Sequence, residues 1–364
     1  MNATEIVLPG IGEPESLEIR TREVGSPGRG QALVRVEATG VSFAEQQMRW
    51  GKYYDQPPFP FVPGYDLVGV VAQAGTGAPP EGQRVAALTK TGGWASCVVL
   101  DARYLVPVPD GVDAAAAETI VVNGLTAWRM LHRTARVQRG QTIVVLGATG
   151  GVGSTLVQLA RHAGIRAIGT AGPAQQDRLR ELGATAIDYR NDDVPAGVRE
   201  LAPDGVAAVF DHVGGPGLID SWRMLARGGT LVSYGTASTL KNPGNPRLPV
   251  LKLLARLYAW NALPNRRHAH FFNLWAGQRL RPRHYRAQVA RDLGHVLDLL
   301  AQGAITPQIA REFPLTDAAA ALRYAESGGI TGKVLLIPDH SSNQPQTPGV
   351  GHRSQRPPAP SARF

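Results

Sequence analysis

A glycine-rich turn between an apolar strand and a helix restricts the fold of this chain more than any other feature. The segment QTIVVLG (141–147) is apolar over most of its length, which is typical of a strand buried on both faces of a parallel sheet. It leads into ATGGVG (148–153) and then into a helical pattern of apolar residues. Strand, glycine turn and helix in this order predict a nucleotide-binding βαβ unit.

The turn has the chemistry of a pyrophosphate site. Gly150 and Gly153 occupy two of the three glycine positions of the dinucleotide-binding fingerprint, and Ala148 stands at the first. Small residues let backbone N–H groups approach a pyrophosphate at a helix N-terminus, where the helix dipole favours negative charge. We therefore predict that the turn binds the cofactor through Ala148, Thr149, Gly150, Gly151, Val152 and Gly153. A plain tight turn is the alternative.

The second strand of this unit ends without an acidic residue. An Asp or Glu about 20 residues beyond the glycines usually binds the ribose 2′-hydroxyl of NAD, but here the strand ends in Gly-Thr-Ala followed by Gly172. Arg178, Tyr189 and Arg190 stand nearby and can bind a 2′-phosphate. The sequence therefore favours NADPH, with contacts at Gly172, Arg178 and Tyr189. For Arg178 a solvent-exposed helix residue is the alternative.

Strands and helices alternate beyond the turn. Further strands are predicted at RAIGT (166–170), AAVFD (207–211) and GTLVSYG (229–235), and HAHFFNLW (268–275) is a candidate for the last one. Helices are predicted at AQQDRLRELG (174–183), closed by its glycine, and at GLIDSWRMLARG (217–228). This alternation predicts an α/β fold with a Rossmann doubly wound parallel sheet.

The chain divides into four regions. Residues 1–118 contain short valine-rich runs between Gly/Pro turns, which predict an all-β region, a small barrel or sandwich. Residues 119–278 contain the predicted Rossmann sheet, and residues 279–338 contain one long amphipathic helix and a final strand. Residues 339–364 are rich in Pro, Ser and Gln with few apolar side chains, so we expect a disordered tail.

Composition fits a globular protein. Hydrophobic residues make up 43% of the 364 residues and charged residues 18%. No apolar run approaches the roughly 18–20 residues of a membrane-spanning helix, and the first residues lack the basic and apolar segments of a secretory signal. The single cysteine, Cys97, excludes an internal disulfide and a zinc site of four thiolates. We expect a cytoplasmic protein.

Positive charge is concentrated in one stretch. Residues 221–291 contain thirteen Lys and Arg and no Asp or Glu, whereas the net charge of the chain is +9. Such a stretch is either a solvated surface or a surface that binds anionic lipid. Its aromatic residues follow no nucleic-acid-binding pattern, so nucleic acid is not the expected partner. Within it, 249–264 is a predicted helix with Val250, Leu253, Leu254, Leu257 and Tyr258 on one face. A lid, a dimer contact and an interfacial membrane helix are its three interpretations.

Short motifs along residues 1–338 carry a family resemblance. They are GVSFA (40–44), MRWGKY (48–53), PGYDLVG (63–69), GQRV (82–85), NGLTA (123–127), DYR (188–190), DHVGG (211–215) and GKV (332–334), together with the glycine turn. Through their order and spacing the chain resembles the medium-chain dehydrogenase/reductase superfamily, in its zinc-free quinone oxidoreductase (zeta-crystallin-like) branch.

The resemblance implies both an architecture and an activity. The architecture is an N-terminal GroES-like β-barrel catalytic domain, a Rossmann cofactor domain, and a C-terminal return to the catalytic domain. The activity is NADPH-dependent reduction of small quinones or α,β-unsaturated carbonyls in the cleft between the domains, by a homodimer.

The resemblance also implies catalytic residues. Tyr53 stands where the branch has a tyrosine and is the first candidate for a hydroxyl donor, with a packed aromatic as the alternative; Tyr65 is a weaker candidate. Ser42 replaces the asparagine common in the branch, so it keeps one donor and loses the reach of the amide. Zinc-dependent relatives place a thiolate and a histidine in the first domain, but here Ser42 and Tyr65 occupy those regions and the first histidine is His132. We expect no metal.

Further cofactor contacts follow from the same motifs. Asn123 and Thr126 open the helix that enters the cofactor domain and are predicted near the nicotinamide, with helix capping as the alternative. Gly235 and Lys333 are predicted cofactor contacts as well. His212 ends a parallel strand, where it either faces the cofactor or is a structural histidine.

Two other functions fit the same sequence. One is an enoyl reductase that acts on a carrier-bound chain. The other is a binding protein that keeps the nucleotide fold but acts at a vesicle or lipid surface, which the serine at position 42 and the basic stretch favour.

Overall fold

Two β-sheets form the frame of the molecule, whose computed structural model describes residues 1–239 and 247–339. The strands are β1 (Asn2–Val7), β2 (Glu18–Glu23), β3 (Gln31–Val41), β4 (Asp66–Ala74), β5 (Arg84–Leu88), β6 (Cys97–Asp101), β7 (Val106–Pro107), β8 (Thr142–Val145), β9 (Arg166–Ala171), β10 (Ala184–Asp188), β11 (Val206–Asp211), β12 (Leu225–Ser233), β13 (His268–Phe271), β14 (Ile309–Pro314) and β15 (Lys333–Ile337). The α-helices are α1 (Phe43–Arg49), α2 (Ala114–Trp128), α3 (Gly151–His162), α4 (Gln176–Leu182), α5 (Val194–Leu201), α6 (Leu218–Arg223), α7 (Arg247–Asn261), α8 (Pro282–Ala301) and α9 (Ala318–Glu326).

The first sheet is the predicted Rossmann sheet. Its strands follow the order β10-β9-β8-β11-β12-β13, and every neighbouring pair is parallel. Counted from β8, this is the order 3-2-1-4-5-6 of doubly wound dinucleotide-binding proteins. The three apolar residues of β8, Ile143, Val144 and Val145, are fully buried, as expected for a central strand. Such sheets bind ligands beyond the carboxyl ends of their strands, where the order reverses beside β8.

The second sheet joins strands from the first third of the chain to the last two strands, while β1 and β2 pair with each other in a two-stranded sheet. Its order is β14-β15-β3-β4-β5-β7, with β6 also paired to β3, and its pairs are antiparallel except β14 with β15. Strands predicted from the valine-rich runs are present as β3, β4, β5 and β6. The last strand, β15, pairs with β3, so the C-terminal segment returns to the N-terminal sheet as the resemblance implied.

Helix α2 joins the two halves. It begins at Ala114, where the Asp113 carboxylate accepts a hydrogen bond from the Ala116 backbone N–H at 3.0 Å. It packs against β3 and β4 of one sheet and against α3 on the other. Asn123 and Thr126 therefore lie in the interior of this helix, so the prediction that they open it is wrong and capping does not explain them.

Other elements also differ from the sequence predictions, and residues 279–338 contain β14 and α9 besides the predicted helix and final strand. Helix α6 ends at Arg223, because Leu225 already belongs to β12, pairs with Val206 and is buried. Strand β13 ends at Phe271, so it covers only the first half of the predicted strand 268–275. The region read as all-β also contains α1, which begins at a serine-capped N-terminus.

Helix α7 turns a different face to the protein than predicted. Leu253 and Leu257 are buried, but Tyr258 is 75% exposed, because it lies one residue, or about 100° around the helix, beyond Leu257. Trp260 completes the inner face by stacking on Trp222 of α6, with ring centroids 4.9 Å apart. Within 1–239 and 247–339 no helix has the length and apolarity needed to cross a bilayer. Apart from Asp339, the predicted disordered tail lies outside the described residues.

Candidate functional site

A cavity of about 430 Å³ lies where the two sheets meet. Its walls include the β3–α1 junction, α2, the glycine turn, the carboxyl ends of β11, β12 and β13, the start of α7 and the start of β15. Ten predicted site residues line it: Ser42, Tyr53, Asn123, Thr126, Gly150, Gly151, Val152, Gly153, Gly235 and Lys333. The cavity therefore joins the predicted catalytic residues to most of the predicted cofactor contacts. Ala148, Thr149, Gly172, Arg178 and Tyr189 lie outside its wall.

The glycine turn is shaped by close backbone contacts. A Cβ on Gly153 would lie 2.4 Å from the Gly147 carbonyl oxygen, and a Cβ on Gly151 would lie 2.4 Å from the Asn123 amide nitrogen. Gly147 itself has a φ of +64°, a conformation that suits glycine. No side chain caps the start of α3 at Gly150, so its backbone donors face the cavity without a capping acceptor. This arrangement fits a pyrophosphate.

Ala148 and Thr149 hold the turn in place from behind. The Ala148 N–H donates to the Thr170 carbonyl oxygen at 2.9 Å, which ties the turn to β9. The Thr149 carbonyl oxygen accepts from the Gly332 N–H at 3.0 Å, which ties it to the segment before β15. Both residues are buried, so they stabilise the turn from the protein side.

The outer edge of the sheet carries the residues predicted at the 2′-phosphate. A Cβ on Gly172 would lie 3.8 Å from the Tyr189 hydroxyl, so these two residues lie side by side beyond β9 and β10. The Arg178 guanidinium donates to the Gln308 side-chain oxygen at 2.7 Å and pairs with Glu181 at 2.5 Å. Its side chain is still 43% exposed, although its guanidinium is bonded to these two protein groups.

Tyr53 belongs to a hydrogen-bond chain across the cleft. Its hydroxyl is 2.8 Å from the Tyr65 hydroxyl, and the Trp275 indole N–H donates to the Tyr65 oxygen. Because Tyr65 accepts from Trp275, it can direct its own proton to Tyr53, which leaves the Tyr53 proton for a ligand in the cavity. Burial raises the pKa of Tyr53 and of Tyr65. Both are therefore neutral hydrogen-bond donors at physiological pH.

Ser42 is occupied by the helix that it begins. Its hydroxyl accepts from the Ala44 N–H at 3.2 Å and donates to the Glu45 carboxyl, which in turn accepts from the Ser42 N–H at 2.8 Å. This is a capping box. Burial raises the pKa of Glu45. Ser42 lines the cavity, but its hydroxyl is shared with the cap.

Several lining residues were not among the predicted contacts. Tyr234, Thr236, Phe272 and Asn273 all follow the carboxyl ends of β12 or β13. The general rule that parallel sheets bind ligands at this edge is the signal that could have found them. His212, for which the sequence left cofactor contact and a structural role open, also lines the cavity. The His212 ring lies against Gly147, with its Nδ1 3.0 Å from the Leu146 carbonyl oxygen, and burial lowers its pKa.

Known proteins share this architecture. Two family models match, the alcohol dehydrogenase GroES-like domain over residues 28–110 and the zinc-binding dehydrogenase over residues 182–336. The synaptic vesicle membrane protein VAT-1 homolog of Homo sapiens is 31% identical over 353 residues, which cover 92% of this chain and 86% of that protein. A quinone oxidoreductase of Pseudomonas syringae pv. Tomato DC3000 aligns with a TM-score of 0.80 at 30% identity, over 92% of this chain and 100% of that one. A mycobacterial protein solved in complex with NADPH aligns with a TM-score of 0.79 at 30% identity, over the same two shares.

The chain belongs to the quinone oxidoreductase branch of the medium-chain dehydrogenase/reductase superfamily. This confirms the resemblance drawn from the short motifs, and it confirms the GroES-like and Rossmann parts of the fold. At the level of reaction class, this family member is an oxidoreductase.

One of the two matching family descriptions mentions zinc. In the described parts of this oxidoreductase, no three His, Cys, Asp or Glu side chains are grouped so that they could hold a metal ion. Ser42 and Tyr65 offer hydroxyls that already bond to protein groups. A neutral hydroxyl is a poor zinc ligand beside a thiolate or an imidazole.

Proposed function

We propose that this oxidoreductase transfers a hydride from NADPH to a small quinone or α,β-unsaturated carbonyl without a metal. The observation that carries the proposal is that one cavity is lined by both the glycine turn and Tyr53. The glycine turn would hold the pyrophosphate, and Asn123, Thr126 and Gly235 would lie along the nicotinamide half. The mycobacterial neighbour solved with NADPH and the Pseudomonas syringae quinone oxidoreductase support this choice.

The chain's own residues would contribute position and electrostatics. Bound NADPH supplies the hydride. The Tyr53 hydroxyl would donate a hydrogen bond to the acceptor's carbonyl oxygen, on which negative charge builds during reduction. Its raised pKa keeps the proton on the tyrosine, so the final proton of the product would come from water after the hydride has been transferred. The aromatic wall of Tyr53, Tyr54 and Phe272 would exclude water from the reacting atoms.

The proposal is tested by initial rates with a small panel of acceptors. NADPH and NADH oxidation is followed with an ortho-quinone, an enone and an enoyl thioester, with and without a chelator. We expect turnover of the quinone or enone with NADPH, weak turnover with NADH, and no effect of the chelator. Turnover of the thioester alone contradicts the proposal in favour of the carrier-bound alternative, and loss of activity in chelator contradicts metal independence.

The preference for NADPH is tested at Arg178. We expect Arg178→Ala to raise the NADPH dissociation constant about tenfold, because one charge-assisted hydrogen bond to the 2′-phosphate contributes about 1.5 kcal/mol at a half-exposed site. Affinity for NADH, which lacks this phosphate, stays unchanged. Arg180→Ala is the matched control, since it removes an arginine of the same helix that pairs with Asp177. Equal losses for both cofactors contradict the assignment.

A second candidate role, at an anionic lipid surface, rests on the outer face of α7. Leu248, Leu251 and Tyr258 are exposed at spacings of three and seven residues, which places them along one stripe. Exposed Lys252 and Arg256 flank this stripe. An apolar stripe with basic neighbours is typical of a helix that lies in a membrane interface.

The lipid role is tested by co-sedimentation with phosphatidylcholine vesicles that contain or lack phosphatidylserine. We expect retention only with phosphatidylserine, and at least about a tenfold lower partition for the double variant Leu251→Ser/Tyr258→Ser, since two apolar side chains no longer enter the interface. Leu280→Ser, also highly exposed but outside α7, is the control. Retention that does not change in the double variant contradicts the role.

The homodimer implied by the resemblance is also a proposal. Strand β13 lies at an edge of the parallel sheet and pairs only with β12 among the described strands, which leaves an edge that a second copy could extend.

A further inference from the structure

Three charged side chains meet in the interior, and one of them, Lys333, reaches the wall of the cavity. Asp66 begins β4, Glu118 lies in α2 and Lys333 begins β15, and their side chains are 0–2% exposed. The Lys333 ammonium donates to Asp66 Oδ2 at 2.6 Å and to Glu118 Oε1 at 2.8 Å. Asp66 Oδ2 also accepts the Val122 backbone N–H at 2.9 Å. The cluster thus ties together the N-terminal sheet, the joining helix and the C-terminal return.

The two carboxyls are each left with one oxygen that has no donor. Asp66 Oδ1 and Glu118 Oε2 are both buried, and no described group hydrogen-bonds to either. Two ionised carboxylates beside one ammonium would also leave a net charge of −1 in the interior, which is costly. A single proton on one of the two carboxyls removes the excess charge and turns one acceptor oxygen into a donor.

We propose that Asp66 and Glu118 share one proton, carried by Glu118, so that Asp66, Glu118 and Lys333 form a neutral buried triad. Burial, together with the charge of Asp66, raises the pKa of Glu118 well above its usual range. Burial lowers the pKa of Lys333, but the two carboxyls outweigh it and the net shift is upward, which keeps the ammonium charged. The other titratable group near Asp66 is Glu45 of α1, whose pKa burial also raises.

The triad positions Asn123. Asp66 accepts a hydrogen bond from the Val122 N–H, which fixes this part of α2. The next residue, Asn123, then places its side-chain amide against Gly151 of the glycine turn. Lys333 packs its stem against Gly40, where a Cβ would lie 2.2 Å from the Lys333 Cε. Lys333 lines the cavity, but its ammonium is bonded to the two carboxyls, and Asp66 and Glu118 lie outside the cavity wall. We therefore treat Glu118 as a positioning residue. Its effect on NADPH affinity rests on the proposed function, but the proton itself does not.

The protonation of Glu118 is tested first by infrared spectroscopy of the wild-type protein. We expect a carbonyl stretch of a protonated carboxyl at neutral pH that shifts when glutamate is labelled with ¹³C, disappears in Glu118→Gln and remains in Glu45→Gln, since burial also raises the pKa of Glu45. Asp66→Asn should also remove it, because Glu118 then becomes the sole counter-ion of Lys333 and ionises. A wild-type spectrum without a protonated glutamate band overturns the proposal, whether or not the protein binds NADPH.

Stability and affinity give a second readout. Glu118→Gln keeps a neutral donor and acceptor, so its NADPH dissociation constant should stay within about threefold of wild type, whereas Glu118→Leu should raise it about tenfold. Relative to Glu118→Gln, the wild-type folding equilibrium constant should fall about tenfold per pH unit as pH rises from the ordinary glutamate range towards the raised value, because the pKa of Glu118 is raised only in the folded state. Glu118→Gln lacks this contribution. If Glu118→Gln raises the NADPH dissociation constant as much as Glu118→Leu does, the proposal is overturned.

Discussion

Replacing Gly153 by alanine should weaken NADPH binding about a hundredfold, a loss of about 2.7 kcal/mol. The new Cβ would lie 2.4 Å from the Gly147 carbonyl oxygen and 2.8 Å from the Ala148 Cα. Both neighbours are backbone atoms, and the N–H of Ala148 is bonded to β9, so the turn can make room only by giving up its shape. The loss is measured as the NADPH dissociation constant by fluorescence titration.

Two controls separate the turn from the rest of the fold. A Cβ on Gly150 would contact only the Gly147 oxygen, at 3.4 Å, so Gly150→Ala should leave the conformation of the turn unchanged. Any loss of NADPH affinity in this variant then comes from contact between the new methyl group and the cofactor. Gly294→Ala in α8 enters open space and should raise the thermal midpoint slightly, because alanine favours the helix. Wild-type affinity in Gly153→Ala would contradict the assigned pyrophosphate site.

Replacing Tyr53 by phenylalanine should lower kcat about a hundredfold and leave the NADPH dissociation constant unchanged. Loss of one preorganised donor to a developing oxyanion typically costs this much in rate. The substitution keeps the ring, whose centroid lies 4.6 Å from that of Tyr54, and removes only the hydroxyl. The measurement is kcat with a saturating quinone or enone, beside a direct titration of NADPH.

The neighbouring tyrosines provide the comparison. Tyr54→Phe removes a hydroxyl that donates to Asn273 at 3.0 Å, and it should change kcat little. Tyr65→Phe removes the partner that orients the Tyr53 hydroxyl, so an intermediate loss is expected. Equal effects of Tyr53→Phe and Tyr54→Phe would show that the aromatic wall, and not a specific donor, is responsible.

Local patterns predicted the elements whose cause is local. The sequence predicted the buried strand β8, the glycine turn and the left-handed Gly183 at the end of α4. Burial on both faces requires a run of apolar residues, and a positive φ favours glycine, so both leave a local pattern in the sequence. The end of α6 could not be predicted from the sequence, because an apolar residue such as Leu225 fits a helix and a strand equally well. Only its pairing with Val206 shows that it belongs to β12.

The site was predicted in parts but not as an assembly. Motifs pointed to Tyr53, Ser42 and the glycine turn, yet the contacts that define their roles join distant residues. Trp275 reaches Tyr65 across 210 positions, and Lys333 reaches Asp66 across 267. No short-range pattern encodes such pairs. Similarly, Tyr258 fits an apolar helical face in the sequence, and only the packing of Leu253 and Leu257 shows that this face lies elsewhere.

Hydride transfer in the cleft is tested most directly by single turnovers with NADPH that carries two deuterium atoms at C4 of the nicotinamide. The protein is premixed with this NADPH in chelator, mixed with an enone or an ortho-quinone, and the oxidation of NADPH is followed by stopped flow. We expect slower oxidation than with ordinary NADPH, and one deuterium on the β-carbon of the reduced enone by mass spectrometry. Bound NADPH that reduces neither acceptor, or a reduced enone without deuterium, would contradict it.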